Sequence, residues 1–422
     1  MGKRIVVLGG GFGGVQATVE LEKRVGGEAE IVLVSEENFL LFTPLLPQIA
    51  SSNIDPRHIV QAIRDIRGNK RFTFRRDTVR AIDPAARRVT LCEGSLDYDV
   101  LVIALGSRSD YYGTPGAAEN TWDFKTLEDA IVLRERVLDL CEHADHTADA
   151  AARQALLTFA IVGGGYTGVE LVAELSDLLF RYVVRRYRRI APSEVRLLLL
   201  EAAPEILRTI APRLKAHALR RLNVEGIAVR TGARVTRCTA DSVEVNGNEI
   251  IPTATIVWSA GVRANSVVES LPGPHDRAGR AKVNAYLQLQ DYPEVFVTGD
   301  AAAGASAPDA AQVAPVAMSQ GELAAANVER LLRGAPLEEF RYSDKGTLVS
   351  LGMNYAVVSI GRLRFSGYFA WLFWNAVHLY KLVGLKKQLQ VGMDWALGTI
   401  FPRDTSIVRR QRGCKICGLP EH

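Results

Sequence analysis

Cysteine is scarce in this chain of 422 residues: five are scattered along it, an odd number that builds no disulfide framework. Long apolar runs are missing too. The uncharged stretch from Phe365 to Tyr380 is too short to span a bilayer as a helix, and Asn375 and His378 interrupt it. Neither sign of charge dominates, with 51 Lys and Arg against 47 Asp and Glu, so nothing argues for a nucleic-acid partner. No apolar leader precedes the first strand-like run, and Val6 stands where a myristoylation signal needs Ser or Thr. An intracellular, cytoplasmic enzyme is the expectation. An apolar share of 48% with 23% charged residues excludes disorder, collagen and coiled coil, and the length suits two to three domains. Cys141 and Cys238 stand alone. The C-x-x-C at Cys414-Lys415-Ile416-Cys417 lies in the C-terminal tail and reads as solvated residues; a lone pair cannot complete a four-ligand zinc site. His143, His146, His217, His275 and His378 do not cluster at metal-ligand spacing, so no metal is expected.

Glycine, by contrast, is present in two ordered places. Ile5-Val6-Val7-Leu8 reads as a parallel strand buried on both faces. It runs into Gly9-Gly10-Gly11-Phe12-Gly13-Gly14, which fits G-x-G-x-x-G, and then into a helix-like stretch from Val15 to Lys23. A second apolar run, Ile31 to Val34, ends at Ser35-Glu36. Strand, glycine turn, helix, strand and acid in that order are the dinucleotide fingerprint. Gly9 permits the tight turn, Gly11 lets a pyrophosphate approach the backbone, and Gly14 lets helix and strand pack closely. The helix N-terminus favours the phosphate charge. Glu36 would accept hydrogen bonds from a ribose, and Ser35 beside it could share or take that role.

The unit recurs. Ala160-Ile161-Val162 leads to Gly163-Gly164-Gly165-Tyr166-Thr167-Gly168, a helix from Val169, and the strand Val195 to Leu200 ending at Glu201. An acid there favours the free 2′-hydroxyl of NAD over the phosphate of NADP, although Arg208 is near in sequence. One such turn is weak evidence; two complete units point firmly to two dinucleotides in one chain. Three further strands end in small-residue turns: one before Ala104-Leu105-Gly106, one before Ala260-Gly261, and one at Val295 to Val297 before Thr298-Gly299-Asp300. The last could set a carboxylate beside a cofactor's ribitol or phosphate. Residues 142–155, polar and alanine-rich, read as a linker or helix end.

With these segments in order the chain resembles the two-dinucleotide-binding flavoprotein superfamily. The resemblance implies FAD on Gly9, Gly11, Phe12, Gly13, Gly14, Ser35, Glu36, Ala104, Gly106, Gly299 and Asp300, with the backbone near Val79 meeting the adenine. It implies NADH on Gly163, Gly165, Tyr166, Thr167, Gly168, Glu201, Ala260 and Gly261. The redox cysteines of its disulfide reductases and sulfide:quinone oxidoreductases have no counterpart in Phe39 to Ala50, Tyr166 to Gly168 or Gly352 to Ser359. Closer still, the chain resembles the type II NADH:quinone oxidoreductases, single-subunit enzymes that do not pump protons. The matching segments are Asn38 to Pro47, Gly168-Val169-Glu170-Leu171, Trp258 to Ala264, Asp344-Lys345-Gly346-Thr347 and residues 360–380.

That resemblance implies oxidation of NADH through FAD and two-electron reduction of a quinone. It places the Glu170 carboxylate near the flavin–nicotinamide stack and Lys345 near the isoalloxazine. The plain alternatives are a first-turn acid favoured by the helix dipole and a solvated loop lysine. Residues 314–321 match the quinone-pocket helix, but Pro315 and Ser319 stand where glutamines are usual, leaving Ala317, Gln320 and Gln312 as candidates. The expected fold is α/β, with two interleaved Rossmann-like domains: FAD on 1–118 and 279–340, NADH on 119–278. Residues 341–422 form a C-terminal amphipathic module for membrane binding or dimerisation. Its aromatics, with Lys381, Lys386 and Lys387 behind them, suit an interfacial helix on the cytoplasmic side of the inner membrane; a buried homodimer helix is compatible with that. A same-fold reductase of a soluble acceptor and an FAD- and NADH-binding redox sensor remain as alternatives.

Overall fold

The computed structural model describes residues 2–66, 71–304, 312–343 and 346–407. Ile5 to Leu8 are fully buried, as a strand covered on both faces must be, and so is the neighbouring run Val100–Ile103. Together they form the centre of a six-stranded sheet. Its order is Gln288–Leu289, Tyr292–Val297, Val100–Ile103, Lys3–Leu8, Ala29–Ser35 and Phe72–Arg76, with only the first strand antiparallel. The chain therefore leaves this sheet after Ile103 and returns to its edge at Gln288.

Between those points it builds a second sheet of five parallel strands. The order is Trp122–Asp123, Thr255–Trp258, Thr158–Val162, Arg196–Glu201 and Ile227–Thr231. The polar segment before Thr158 is helical: Leu127–His146 is followed by a short helix, Ala150–Leu156, capped by the Asp149 side chain. Each sheet carries a glycine helix on its first strand, Phe12–Val25 and Tyr166–Ser176. The first of these packs against the long helix Ala314–Leu332. Contact is close enough that a Cβ at Gly321 would overlap the Gly13 carbonyl.

The C-terminal part is a three-stranded antiparallel sheet, Thr347–Ser350, Ala356–Ile360 and Leu363–Gly367, followed by helices Tyr368–Lys381 and Leu385–Ile400. Phe365 and Ser366, part of the uncharged run, are thus strand, and the helix begins only after Gly367. The buried residues of this part join one core with the second glycine helix and the segment 42–59. The last helix is tied down by polar contacts. The Trp395 indole donates to Gln48 Oε1 at 2.7 Å, Lys387 donates to the Arg57 carbonyl at 2.6 Å, and Asp394 meets His58 Nδ1 at 2.5 Å.

Candidate active site

The two glycine turns are superimposable in their hydrogen bonding. Gly9 N donates to the Val34 carbonyl and Gly163 N to the Leu200 carbonyl, both at 2.8 Å. Gly9 lies at φ +108° and Gly163 at φ +113°, where a side chain is strained. A Cβ at Gly9 would strike the Ala104 carbonyl, and one at Gly163 would come within 2.9 Å of the Ala260 backbone. Ala104 and Ala260 are therefore the small residues that close the two turns. Gly11 and Gly165, by contrast, face open space, each as the N-cap of its helix. That combination, tight behind and open in front, is the shape a pyrophosphate needs at a helix N-terminus. Both turns fit a dinucleotide.

The shared register also compares the two acids. Ser35 and Glu201 occupy equivalent positions, each one residue beyond the carbonyl that pairs with the turn. Ser35 lies against Gly10, whereas Glu36 stands one residue further on and is exposed. The Glu201 carboxylate accepts from Gly164 N at 2.6 Å and from Ala203 N at 2.7 Å, which aims it at the turn. Tyr166, on the same turn, hydrogen-bonds Thr209 through its hydroxyl, and Thr167 is exposed beside it. Gly261, at φ +71°, is packed against the Tyr112 ring.

A cavity of 1280 Å³ starts at Gly10, Gly11, Phe12 and Ser35 and runs past Thr43 to Leu397 on the last helix. Gly106, at φ +69°, is followed by Ser107, whose hydroxyl donates to Asp300 Oδ2 at 2.6 Å. Gln320 is buried and accepts from Gly299 N at 2.6 Å through its amide oxygen, so that side chain holds the returning turn rather than an open pocket. Ala317 packs on Gly299, and Gln312 reaches the Asp300 carbonyl at 3.5 Å. Val79 is buried at the start of a separate hairpin and does not line the cavity. Lys345, and the Cys414 and Cys417 pair, lie outside the described residues.

Glu170 brings the second glycine helix and the C-terminal part together. Its Oε1 accepts from Ser350 N, 180 residues away, at 2.8 Å. Burial pushes its pKa up to about 8 against the pull of the Ser350 N–H; Glu174 one turn on adds to the rise, and the Trp374 side chain offsets some of it. Trp374 is itself fully buried and stacks on His378 at 3.9 Å, and burial lowers that imidazole to about 4. Phe42 stands edge-on to His378 at 6.2 Å and to Phe12 at 6.0 Å. A line of rings thus leads from the first glycine turn to the side chain beside Glu170. In the sequence His378 reads as an interruption of an apolar run, but its spacing of four from Trp374 puts both on one face of the helix.

A model of the pyridine nucleotide-disulphide oxidoreductases matches residues 3–321, and a model of the NDH2 C-terminal domain matches residues 345–404. The type II NADH:quinone oxidoreductase NdhA of Mycobacterium tuberculosis is 34% identical over 412 residues, covering 93% of this chain and 86% of that protein. The chain belongs to the type II NADH:quinone oxidoreductases. The demethylphylloquinone reductase NdbB of Synechocystis is also similar, at 32% identity over 93% of this chain and 95% of its own. Among solved structures, NDH2 from Plasmodium falciparum in complex with NADH matches with a TM-score of 0.87, covering 96% of this chain and all of that one at 18% identity. The Aquifex aeolicus sulfide:quinone oxidoreductase shares the fold, with a TM-score of 0.75 over 92% of each chain at 21% identity. Among the described residues of this type II enzyme Cys141 and Cys238 are buried and only Cys92 is exposed, and none lines the cavity.

Proposed function

We propose that this chain oxidises NADH through FAD and reduces a quinone to quinol at a membrane surface, without moving protons across the membrane. The observation that carries the reading is Glu170, a half-buried acid between the second nucleotide turn and the C-terminal module, bound there by Ser350 N. Residues 1–118 and 279–340 hold FAD, residues 119–278 hold NADH, and residues 341–422 attach the enzyme to lipid. The glycine turn from Gly9 to Gly14, with Ser35, Glu36, Ala104, Gly106, Gly299 and Asp300, binds FAD. The turn from Gly163 to Gly168, with Glu201, Ala260 and Gly261, orients NADH, and Glu201 selects the free 2′-hydroxyl. FAD held there would supply the hydride acceptance from NADH and the two-electron delivery to the acceptor.

The chain's own part is binding, orientation and protons. Glu170, neutral below about pH 8, holds at its carboxyl oxygen a proton of the kind quinol formation needs. Lys345 adds positive charge near the flavin in this reading. The quinone reaches the cavity from the side of the last helix. There Leu385, Leu389, Met393 and Leu397 recur every fourth residue and stand between 46% and 71% exposed. With Phe369 and Tyr380 they form an apolar face that suits a lipid surface on the cytoplasmic side, and a homodimer packed beside it is compatible. No helix among the described residues is long and apolar enough to cross a membrane, which fits attachment to one leaflet.

Anaerobic stopped-flow absorbance tests the reading. NADH bleaches the flavin band, and a short-chain quinone restores it faster than oxygen or ferricyanide does. Bleaching without recovery on quinone would remove the quinone and point to a protein acceptor or a sensor.

A further inference from the structure

The wall of the flavin cavity carries a cation that the mechanism above leaves unused. Lys125 stands just before the helix Leu127–His146, and its backbone is fixed there. Lys125 N and Thr126 N both donate to Asp129 Oδ2, at 2.9 and 2.8 Å, while Asp129 N donates to Thr126 Oγ1 at 3.1 Å. Its side chain turns into the cavity that begins at Gly10 and Gly11. Nζ donates to Ser107 Oγ at 2.7 Å, and Ser107 in turn donates to Asp300 Oδ2 at 2.6 Å. The hydroxyl therefore relays between the ammonium and the carboxylate that closes the returning strand.

Among the described residues no carboxylate forms an ion pair with Lys125. The three acids that face it are engaged elsewhere: Asp123 accepts from the Tyr111 hydroxyl at 3.0 Å, Asp129 caps the helix, and Asp300 takes Ser107. Burial lowers the ammonium's pKa, and Asp300, Asp123 and Asp129 pull it back up. A half-buried cation with a hydroxyl as its partner has electrostatic demand left over, and the cavity is where an electron-rich group can meet it. Pyrophosphate already has the Gly11 turn and a helix N-terminus. The flavin ring is the remaining electron-rich part of FAD. A hydride would bring it two electrons and one proton, so a neutral ring gains one negative charge, which is lost again when two electrons pass to the quinone and that proton is released.

We propose that the Lys125 ammonium, steered by Ser107 and Asp300, faces the ring of bound FAD and favours its reduced state over its oxidised state. It is a charge-compensating residue chosen by position, not by the motifs that bind the phosphates. The effect concerns the redox equilibrium of the cofactor and is independent of which acceptor takes the electrons.

The test is the midpoint potential of the full-length FAD-loaded protein, equilibrated anaerobically against a reference dye, for wild type, Lys125→Met and Lys125→Arg. Lys125→Met should shift the reduced-to-oxidised ratio about tenfold toward oxidised, which for two electrons is about 30 mV downward. Lys125→Arg should recover most of it. An unchanged potential in Lys125→Met with FAD bound overturns the proposal. If Lys125→Met purifies with little flavin, the stripped protein is titrated with oxidised FAD and with dithionite-reduced FAD. A tenfold greater loss of affinity for the reduced form supports the proposal; equal losses overturn it and make Lys125 a pyrophosphate or structural lysine. Neither readout depends on quinone turnover, so a failure here leaves the assignment of the acceptor untouched.

Discussion

Glu170 decides most at the scale of single residues. A carboxyl whose pKa is raised to about 8 is protonated at neutral pH, so it is an acid in waiting rather than a fixed charge. Glu170→Gln keeps the size and loses the proton. Turnover with NADH and a short-chain quinone should fall about 100-fold with FAD still bound, within the range of general acid catalysis. The wild-type rate should fall as pH rises through about 8, and the variant's profile should be flat there. Stability follows the same sign. The folded protein holds a proton between the ordinary value of 4.5 and about 8 that the unfolded chain releases, so stability declines as pH rises across that window. Denaturant titrations of wild type and Glu170→Gln should differ in slope against pH across that window, the variant being the flatter; equal slopes would assign the effect to another group. Glu201→Gln belongs at this scale too. Its KM for NADH should rise about tenfold, narrowing the gap to NADPH, as loss of a charged hydrogen bond to ribose implies.

Elements explain why the C-terminal module cannot simply be cut away. Arg403 is 5% exposed, and its guanidinium donates to the Ser51 carbonyl at 3.1 Å and to Glu174 Oε2 at 3.2 Å, beneath the Tyr182 ring. Ser51 Oγ donates to the same Glu174 oxygen at 2.6 Å. Burial holds Glu174 above the usual carboxylate range even with Arg403 beside it. One residue from the far end of the chain thus fastens the second glycine helix to the segment behind the first cavity. Removing one partner of such a buried pair costs about 3–5 kcal/mol, whereas replacing both by apolar groups costs much less. Arg403→Met should therefore lower the melting temperature more than the double variant Arg403→Met, Glu174→Leu, measured by calorimetry on the FAD-loaded protein. A truncation after Arg364 would remove Arg403 and Trp374 together, and would report on folding before it reported on membrane binding.

At the scale of the whole molecule, the last two helices present the exposed leucines, Met393, Phe369 and Tyr380; elsewhere among the described residues exposed large apolar side chains such as Tyr112, Val224 and Ile250 are scattered in sequence. Replacing exposed apolar residues is the clean test of lipid attachment, because no core contact is lost. Leu389→Glu with Met393→Glu should leave the melting temperature within about a degree and reduce co-sedimentation with liposomes at least tenfold, given about 1.5–3 kcal/mol per buried aliphatic side chain. Retained binding would place the lipid contact elsewhere.

Order along the chain was enough for the two nucleotide units. Strand, glycine turn, helix and strand are local features, set by residues within thirty or so positions of each other, and their physics is the same wherever they sit. The apolar run, the special φ of Gly9 and Gly163, and the small residues at 104 and 260 were legible for that reason. Register and burial were not. Ser35 takes the position equivalent to Glu201 because backbone pairing counts from the strand, whereas a motif counts acids. Gln320 holds a backbone amide, which no spacing reveals. Glu170 acquires its high pKa from burial under distant parts of the chain, against the pull of the Ser350 N–H, and Lys125 is held in the cavity wall by Ser107 and, through it, Asp300. Dielectric and long-range hydrogen bonds exist only after folding, so the identities of these residues were readable in the sequence but their chemistry was not.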